Sequence, residues 1–405
     1  MISLHGDPTA APGYEGAGGQ NVYVRELARN LALAGTAVDV FTEALGAAGV
    51  SAETFETGCR VIRIPLAMPR QVGRHAFKEK LPVFLDRLVR LWPGRAQYDL
   101  IHSHYWLAGW VGLRLARTAR LPLIHTSHSL GRVKAAAGFT LPDATERLST
   151  EGLLARQSVL VATNSSEERQ LRQLYHAQNL ALVPCGFAPR HFRPLDRTTC
   201  RRSLGLRKNE RMLLFVGRFD PNKGIADLIH AVDILSRGWV IKLFLVGGVR
   251  PDSPDEAECA RIKAMVQDRG LEGCVRFVGA VEPSHLAQYY SAADVTVIPS
   301  RYETFGLVAL EALACASPVV ASRTGGLACT VQDGSNGLLF KPGDVVGLAN
   351  SISRLLLDPD YGRRLGKAGH DGALRFTWPA VASRMLQVYD GAIERATLPT
   401  GSGSL

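Results

Sequence analysis

Short β-branched runs alternate with helix-period segments along the whole chain, and this alternation constrains the fold more than any single residue does. The first half carries VDVFTEA from Val38, DLIHSH from Asp99, LIHTS from Leu123, VLVAT from Val159 and ALVPCG from Ala181. The second half carries MLLFVG from Met212, KLFLVGG from Lys242, VRFVGA from Val275, DVTVIPS from Asp294, PVVAS from Pro318 and GLLF from Gly337. Apolar strand runs separated by helical stretches are the pattern of α/β parallel sheets with crossover helices. Since 405 residues exceed what one core normally serves, two Rossmann-like domains of roughly 150–200 residues each are expected. The polar and basic stretch around 192–212 interrupts the rhythm and reads as an interdomain linker, which puts the domains at 1–195 and 200–376. FTWPAVASRMLQVYDGAIERA, at 376–396, reads as part of a closing amphipathic helix, 377–398, that starts at Thr377 or Trp378.

The formal charge of +10 raises the question of a nucleic-acid or membrane partner. The basic residues are scattered, with short clusters at Arg201–Arg202 and Arg363–Arg364 and no basic run interleaved with aromatics. A field that attracts small phosphates is therefore expected ahead of nucleic-acid binding. The seven cysteines are odd in number and far apart, without a CxxC, as in reduced core positions of a cytoplasmic protein. The opening MISLHG lacks a basic region followed by an apolar one, and no apolar stretch approaches ~20 residues, so stable membrane insertion is not expected.

Four segments carry chemistry. In SRYETFGLVALEALACASPVVAS, 300–322, a strand leads through Thr304 to Gly306 into a helix. The N–H groups of Phe305, Gly306 and Leu307 would then face the carboxyl end of the strand, as a cradle for a diphosphate. Glu303 would sit in the loop within reach of sugar hydroxyls, and Glu311, two turns along, within reach of ribose. In FVGRFDPNKG, Arg218 and Lys223 stand five apart on a strand-to-helix turn, where two cations can neutralise a leaving diphosphate. No DxD stands at a strand end, so neither a metal nor another cofactor is expected. The N-terminal GYEGAGGQNVYVRELA places Gly16, Gly18 and Gly19 ahead of a helix, where the backbone can approach a ligand closely, although the spacing is not GxGxxG. His128 follows a strand immediately, with Ser129, Arg132 and Lys134 making its surroundings polar. His102, His104 and His125 are close enough in sequence to raise zinc, but no carboxylate or cysteine has ligand spacing and no metal site is expected.

Together these residues resemble the retaining GT-B glycosyltransferases of family four, and within them the mycothiol-type inositol-phosphate glycosyltransferases and the sucrose-phosphate synthases. The resemblance runs from GAGGQNVYVRELA through IHSHYWLAGWVG, HTSHSLGRVK, FVGRFDPNKG and the paired glutamates to FTWPAVASRML. It implies two Rossmann-like domains with parallel sheets facing across a cleft, and a final helix that crosses back to the N-terminal domain. It also implies a hexosyl transfer from a UDP- or GDP-linked sugar to a small polar acceptor. Arg218 and Lys223 would bind the donor diphosphate, Glu303 the hexose and Glu311 the ribose, with Gly19 also on the donor and His128 near the reacting sugar. Retention would come from same-face attack, with the leaving phosphate taking the acceptor's proton. Gln20, Asn21, Lys78, Tyr105, Ser129, Lys134 and Arg147 would hold the acceptor, whose phosphate the cations would meet.

Gly18-Gly19-Gln20 is similar to the sucrose branch, whereas HSHYWL and Asn21 to Val24 are similar to the mycothiol branch, so the acceptor stays open between them. Many relatives carry an acid shortly after the glycine of PCGFAPRHF, where this chain has Ala188 and Pro189. An unphosphorylated acceptor, or a sugar-nucleotide epimerase of the same fold, are the alternatives. A monomer and a homodimer fit the sequence equally.

Overall fold

The computed structural model describes residues 1–10, 18–44, 49–66, 76–92, 97–249 and 253–397. It divides into two compact units. One takes the chain up to Cys185 together with Trp378 onward, and the other is Gly186–Thr377.

In the first unit, β1 (Val38–Ala44), β2 (Ser51–Glu56) and β3 (Cys59–Pro65) form one sheet in the order β1-β3-β2. The strands β4 (Ile101–His104), β5 (Leu123–Thr126), β6 (Val159–Ala162) and β7 (Leu180–Leu182) follow one another in a second, parallel sheet. Ile2 joins the two sheets, bridging Phe41 of β1 on one side and Ser103 of β4 on the other. The chain order reverses at Ile2, so the loops that follow Ile2 and β4 flank a topological switch point, where ligands of open α/β sheets bind. The helix Trp378–Thr397 packs on the helix Gly19–Leu33, with Trp378 edge-on to Tyr23 at 5.5 Å, and Tyr389 reaches His102 at 2.6 Å.

The second unit holds one parallel sheet of β8 (Arg211–Val216), β9 (Ile241–Val246), β10 (Val275–Gly279), β11 (Val295–Ile298), β12 (Val319–Ser322) and β13 (Leu338–Phe340). Its order, β10-β9-β8-β11-β12-β13, reverses between β8 and β11. The loops leaving those two strands therefore flank its switch point. The core is built on these strands by side chains such as Leu213, Leu243, Val297 and Val320, which the strand-run pattern marks as apolar on both faces.

Two features differ from the sequence reading. The 192–212 stretch is not a linker. It contains the helix Arg197–Ser203, capped by Asp196 and packed on the helix Pro283–Ala292 of the second unit. The antiparallel pairing of β2 with β3 was not expected either. SAETFE is almost entirely exposed and has no apolar face to reveal it, as suits an edge strand.

Candidate active site

The loops at the β8/β11 switch point are laced to each other by backbone and side chain. After β8, Asp220 accepts from the Asn222 N–H at 2.9 Å and caps a short turn, Pro221–Lys223. Gly224 then takes φ +68°, and a Cβ there would run into the Pro299 carbonyl, so only glycine lets the two loops meet. The Arg301 N–H donates to the Asn222 carbonyl at 2.7 Å, and the Arg301 guanidinium grips Asp227 at 3.0 Å. This framework brings Lys223 Nζ to 2.6 Å from Glu303 Oε2, across 80 residues of sequence.

Arg218 is held by a partner that sequence reasoning missed. Its guanidinium donates twice to Asp255, at 3.0 and 2.7 Å, and that hydrogen bonding raises its pKa. Asp255 lies in the first turn of the helix Pro254–Asp268, capped by Ser253, a signature visible in SPDE but with nothing in sequence to tie it to Arg218. Both cations thus stand at the switch point, half-exposed and each oriented by a carboxylate.

Glu303 lies in the loop after β11, where its carbonyl accepts from the Gly326 N–H at 3.0 Å. A Cβ on Gly325, which has φ +45°, would strike that carbonyl, so Thr324-Gly325-Gly326 shapes this loop although the sequence reading passed over it. Gly306 at φ +72° opens the helix Leu307–Ala314, whose first-turn N–H groups, beginning at Leu307 just beyond Phe305, face this loop. Glu311 accepts from the buried Tyr290 hydroxyl at 3.0 Å, and desolvation pushes its carboxyl up to about 7.

In the first unit, Tyr105 follows β4 at φ +72° and His128 follows β5 at φ +58°. Two non-glycine residues in the left-handed region at one sheet edge are the kind of strain that accompanies functional sites. His128 is buried, 3.0 Å from His104 through Nε2 and edge-on to Tyr23, and desolvation pulls its pKa down to about 3, so the ring is neutral. His102 bonds Tyr389 and Thr126, and His125 bonds Ser103 at 2.8 Å. Among the described residues no group of three or more His, Cys, Asp or Glu side chains is placed to hold a metal ion.

The structure brings Arg147, Tyr105 and Ser129 together. Arg147 is buried, donating to Glu151 at 2.8 Å, to the Ser129 carbonyl at 2.8 Å and to the Tyr105 hydroxyl at 3.3 Å. Burial opposes its charge, and the pull of Tyr105 and Glu151 more than restores it. Lys78 lies apart from that cluster, on Glu146 at 2.7 Å and Asp143 at 3.6 Å. Asp143, Tyr105 and Arg147 share the lining of a small cavity of about 40 Å³. Lys134 is half-buried in the helix Gly131–Ala136. Gln20 donates to the Ser3 hydroxyl at 3.2 Å and Asn21 to the Asp7 carbonyl at 2.8 Å, so both lie beside the loop after Ile2. Gly19 opens its helix and is exposed, whereas Gly16 falls outside the described residues.

Comparison with known proteins shows the family and the fold. Residues 196–371 match the family described as Glycosyl transferases group 1, and residues 18–186 match a Glycosyl transferase 4-like domain. The chain belongs to the group 1 glycosyltransferases and has their GT-B fold. It is 37% identical to the D-inositol 3-phosphate glycosyltransferase of Acidothermus cellulolyticus over 413 residues, 99% of this chain and 92% of that protein. The sucrose-phosphate synthase of Thermosynechococcus elongatus is 40% identical, with a TM-score of 0.90 over 97% of this chain and 98% of that one. Anabaena HepE, solved with UDP-glucose, shares the fold at a TM-score of 0.75 and 20% identity, over 96% of this chain and 98% of that one. No described helix is long and apolar enough to cross a membrane.

Proposed function

We propose that this glycosyltransferase is a retaining hexosyltransferase that moves a hexosyl unit from a UDP- or GDP-linked sugar to a small phosphorylated polyol or sugar, without a metal ion. The observation that carries the donor half is the Lys223–Glu303 pair beside the Arg218–Asp255 fork at one switch point. Two cations already oriented there can take up the negative charge of a departing diphosphate with little rearrangement. Lys223 also fixes the Glu303 carboxylate, which accepts hydrogen bonds from the hexose hydroxyls. Glu311 receives the ribose, and the N–H groups at Phe305 to Leu307 and the backbone at Gly19 receive the phosphates.

In the transfer the bond between the anomeric carbon and the diphosphate oxygen breaks. The acceptor oxygen bonds the same face, and its proton passes to the leaving phosphate, which gives a nucleoside diphosphate and a glycoside of retained configuration. His128, neutral and fixed by His104, acts as a hydrogen-bonding group toward the transferred sugar.

The two relatives described above at 37% and 40% identity have names that carry a phosphorylated polyol or sugar, which supports the phosphorylated acceptor. The acceptor set is Gln20, Asn21, Lys78, Tyr105, Ser129, Lys134 and Arg147. Because the Arg147 guanidinium already serves Glu151, Ser129 and Tyr105, it acts by positioning those side chains, and Lys78 and Lys134 meet the phosphate. The test is kcat/KM for inositol phosphate and fructose 6-phosphate against their dephosphorylated forms, in wild type and in Lys134→Ala. A phosphate preference of about tenfold or more that shrinks in the variant is expected, on the scale of one charged contact. Equal rates would overturn the phosphate reading and leave sugar transfer standing.

A further inference from the structure

A pocket of about 550 Å³ lies in the second unit, away from the loops just described. Arg211 opens β8, Asp294 precedes β11 and Pro318 precedes β12, so the pocket sits at the amino ends of the strands whose carboxyl ends carry Lys223 and Glu303. Its floor is apolar, built on Pro318, Leu355 and Leu356. Its rim gathers the two basic clusters that stand out in the sequence, Arg201–Arg202 and Arg363, which are far apart along the chain. Seven of the lining residues are Arg or Lys and one, Asp294, is acidic.

That single carboxylate is shared. Asp294 accepts from Arg197 at 2.7 Å, from Arg201 at 2.9 Å and from the Met212 N–H at 2.7 Å, with Arg211 at 4.0 Å. Arg201 also reaches the Arg207 and Glu210 carbonyls and so fixes the turn that carries Lys208. Arg197 and Arg201 therefore have structural work and Arg363, though exposed, pairs with Asp360, but Arg202 and Lys208 are exposed and add charge that Asp294 does not balance. Converging guanidiniums over an apolar floor suit phosphate oxygens attached to a compact body. The volume is that of a small-ligand site, and the lining has no aromatic side chain on which bases could stack.

We propose that this pocket is a second anion site, which takes a phosphate group on a compact body, from either a free phosphorylated small molecule or an anionic lipid headgroup. It does not depend on the donor assignment. The test titrates inorganic pyrophosphate calorimetrically into the full chain, into Arg218→Ala/Lys223→Ala, and into that double variant with Arg202→Ser, Lys208→Ser and Arg363→Ser added. Sedimentation of the same proteins with phosphatidylglycerol or phosphatidylcholine vesicles forms the second arm. The double variant should keep one pyrophosphate site that weakens at least tenfold when the three serines are added, while the thermal midpoint holds. If only phosphatidylglycerol vesicles bind, and only without the serines, the phosphate comes from lipid and the site stands. The proposal is overturned if the double variant binds neither probe, or if the added serines leave both bindings unchanged.

Discussion

Arg147–Glu151 in the first unit and Lys223–Glu303 in the second are both short ion pairs near strand ends, yet their surroundings are opposite. The Arg147 and Glu151 side chains are 5% and 3% exposed, and Glu151 also accepts from the Gly131 N–H and the Tyr175 hydroxyl. The Lys223 and Glu303 side chains are 30% and 17% exposed. A buried pair with every polar atom engaged fixes a local structure, whereas a half-open pair keeps lone pairs and N–H groups for a ligand. Sequence alone made Arg147, Lys223 and Glu303 look alike as binding residues. Burial separates the scaffold from the contact surface.

The largest effect should come from breaking the buried pair. Arg147→Ala leaves the Glu151 carboxylate buried without its cation, and unfolding free energy should fall by about 3–5 kcal/mol. Denaturant titration measures this. A loss below about 1 kcal/mol would show that the pair is not scaffold, and the contrast between the units would collapse.

Next in size is the half-open pair, where the loss should appear in turnover rather than in folding. Lys223→Ala should lower kcat by about 10²–10³ at saturating donor while the thermal midpoint moves little, because one preorganised charge is removed from the developing diphosphate. Glu303→Gln should lower kcat more than Glu311→Gln, since the first faces the sugar that becomes cationic. A larger fall for Glu311→Gln would exchange the two roles.

Glu311 offers a smaller test through pH. Its folded pKa, about 7, lies above the ordinary 4.5, so the folded chain holds a proton that the unfolded chain has released between those values. The stability this contributes is complete below about 4.5 and is lost as pH rises toward 7, by up to about 3 kcal/mol for a shift of this size. Glu311→Gln should flatten that fall and raise the thermal midpoint of the ligand-free protein at pH 8. An unchanged profile in the variant would place the ionisation elsewhere.

The smallest expected effect is that of a chelator. With Arg218 and Lys223 supplying the charge, EDTA should leave the rate within about twofold. Loss of activity that Mg²⁺ or Mn²⁺ restores would show that these cations do not suffice.

Most parallel strands were legible because strands buried on both faces read as continuous apolar runs, and all six strands of the second unit were marked this way, but β3, whose apolar positions are broken by Arg60 and Arg63, was not. Ile2 was not, since a one-residue bridge has no periodicity, and neither was SAETFE, whose exposure hides its pairing. The 192–212 stretch was misread because its charges suggested a linker, while Asp294, distant in sequence, is what holds those arginines.

By itself the sequence determined the α/β class, the family and the residue types at the two switch points, because strand runs, turn glycines and helix starts are local patterns written in neighbouring residues. Only the tertiary structure decided that Asp255 orients Arg218, that Gly325 shapes the Glu303 loop, that Arg147 is scaffold and that two distant arginine clusters face one pocket. Apart from Arg147 with Glu151 four residues along its own helix, those are contacts between segments tens of residues or more apart. They are fixed by strand order and burial, which no local pattern encodes.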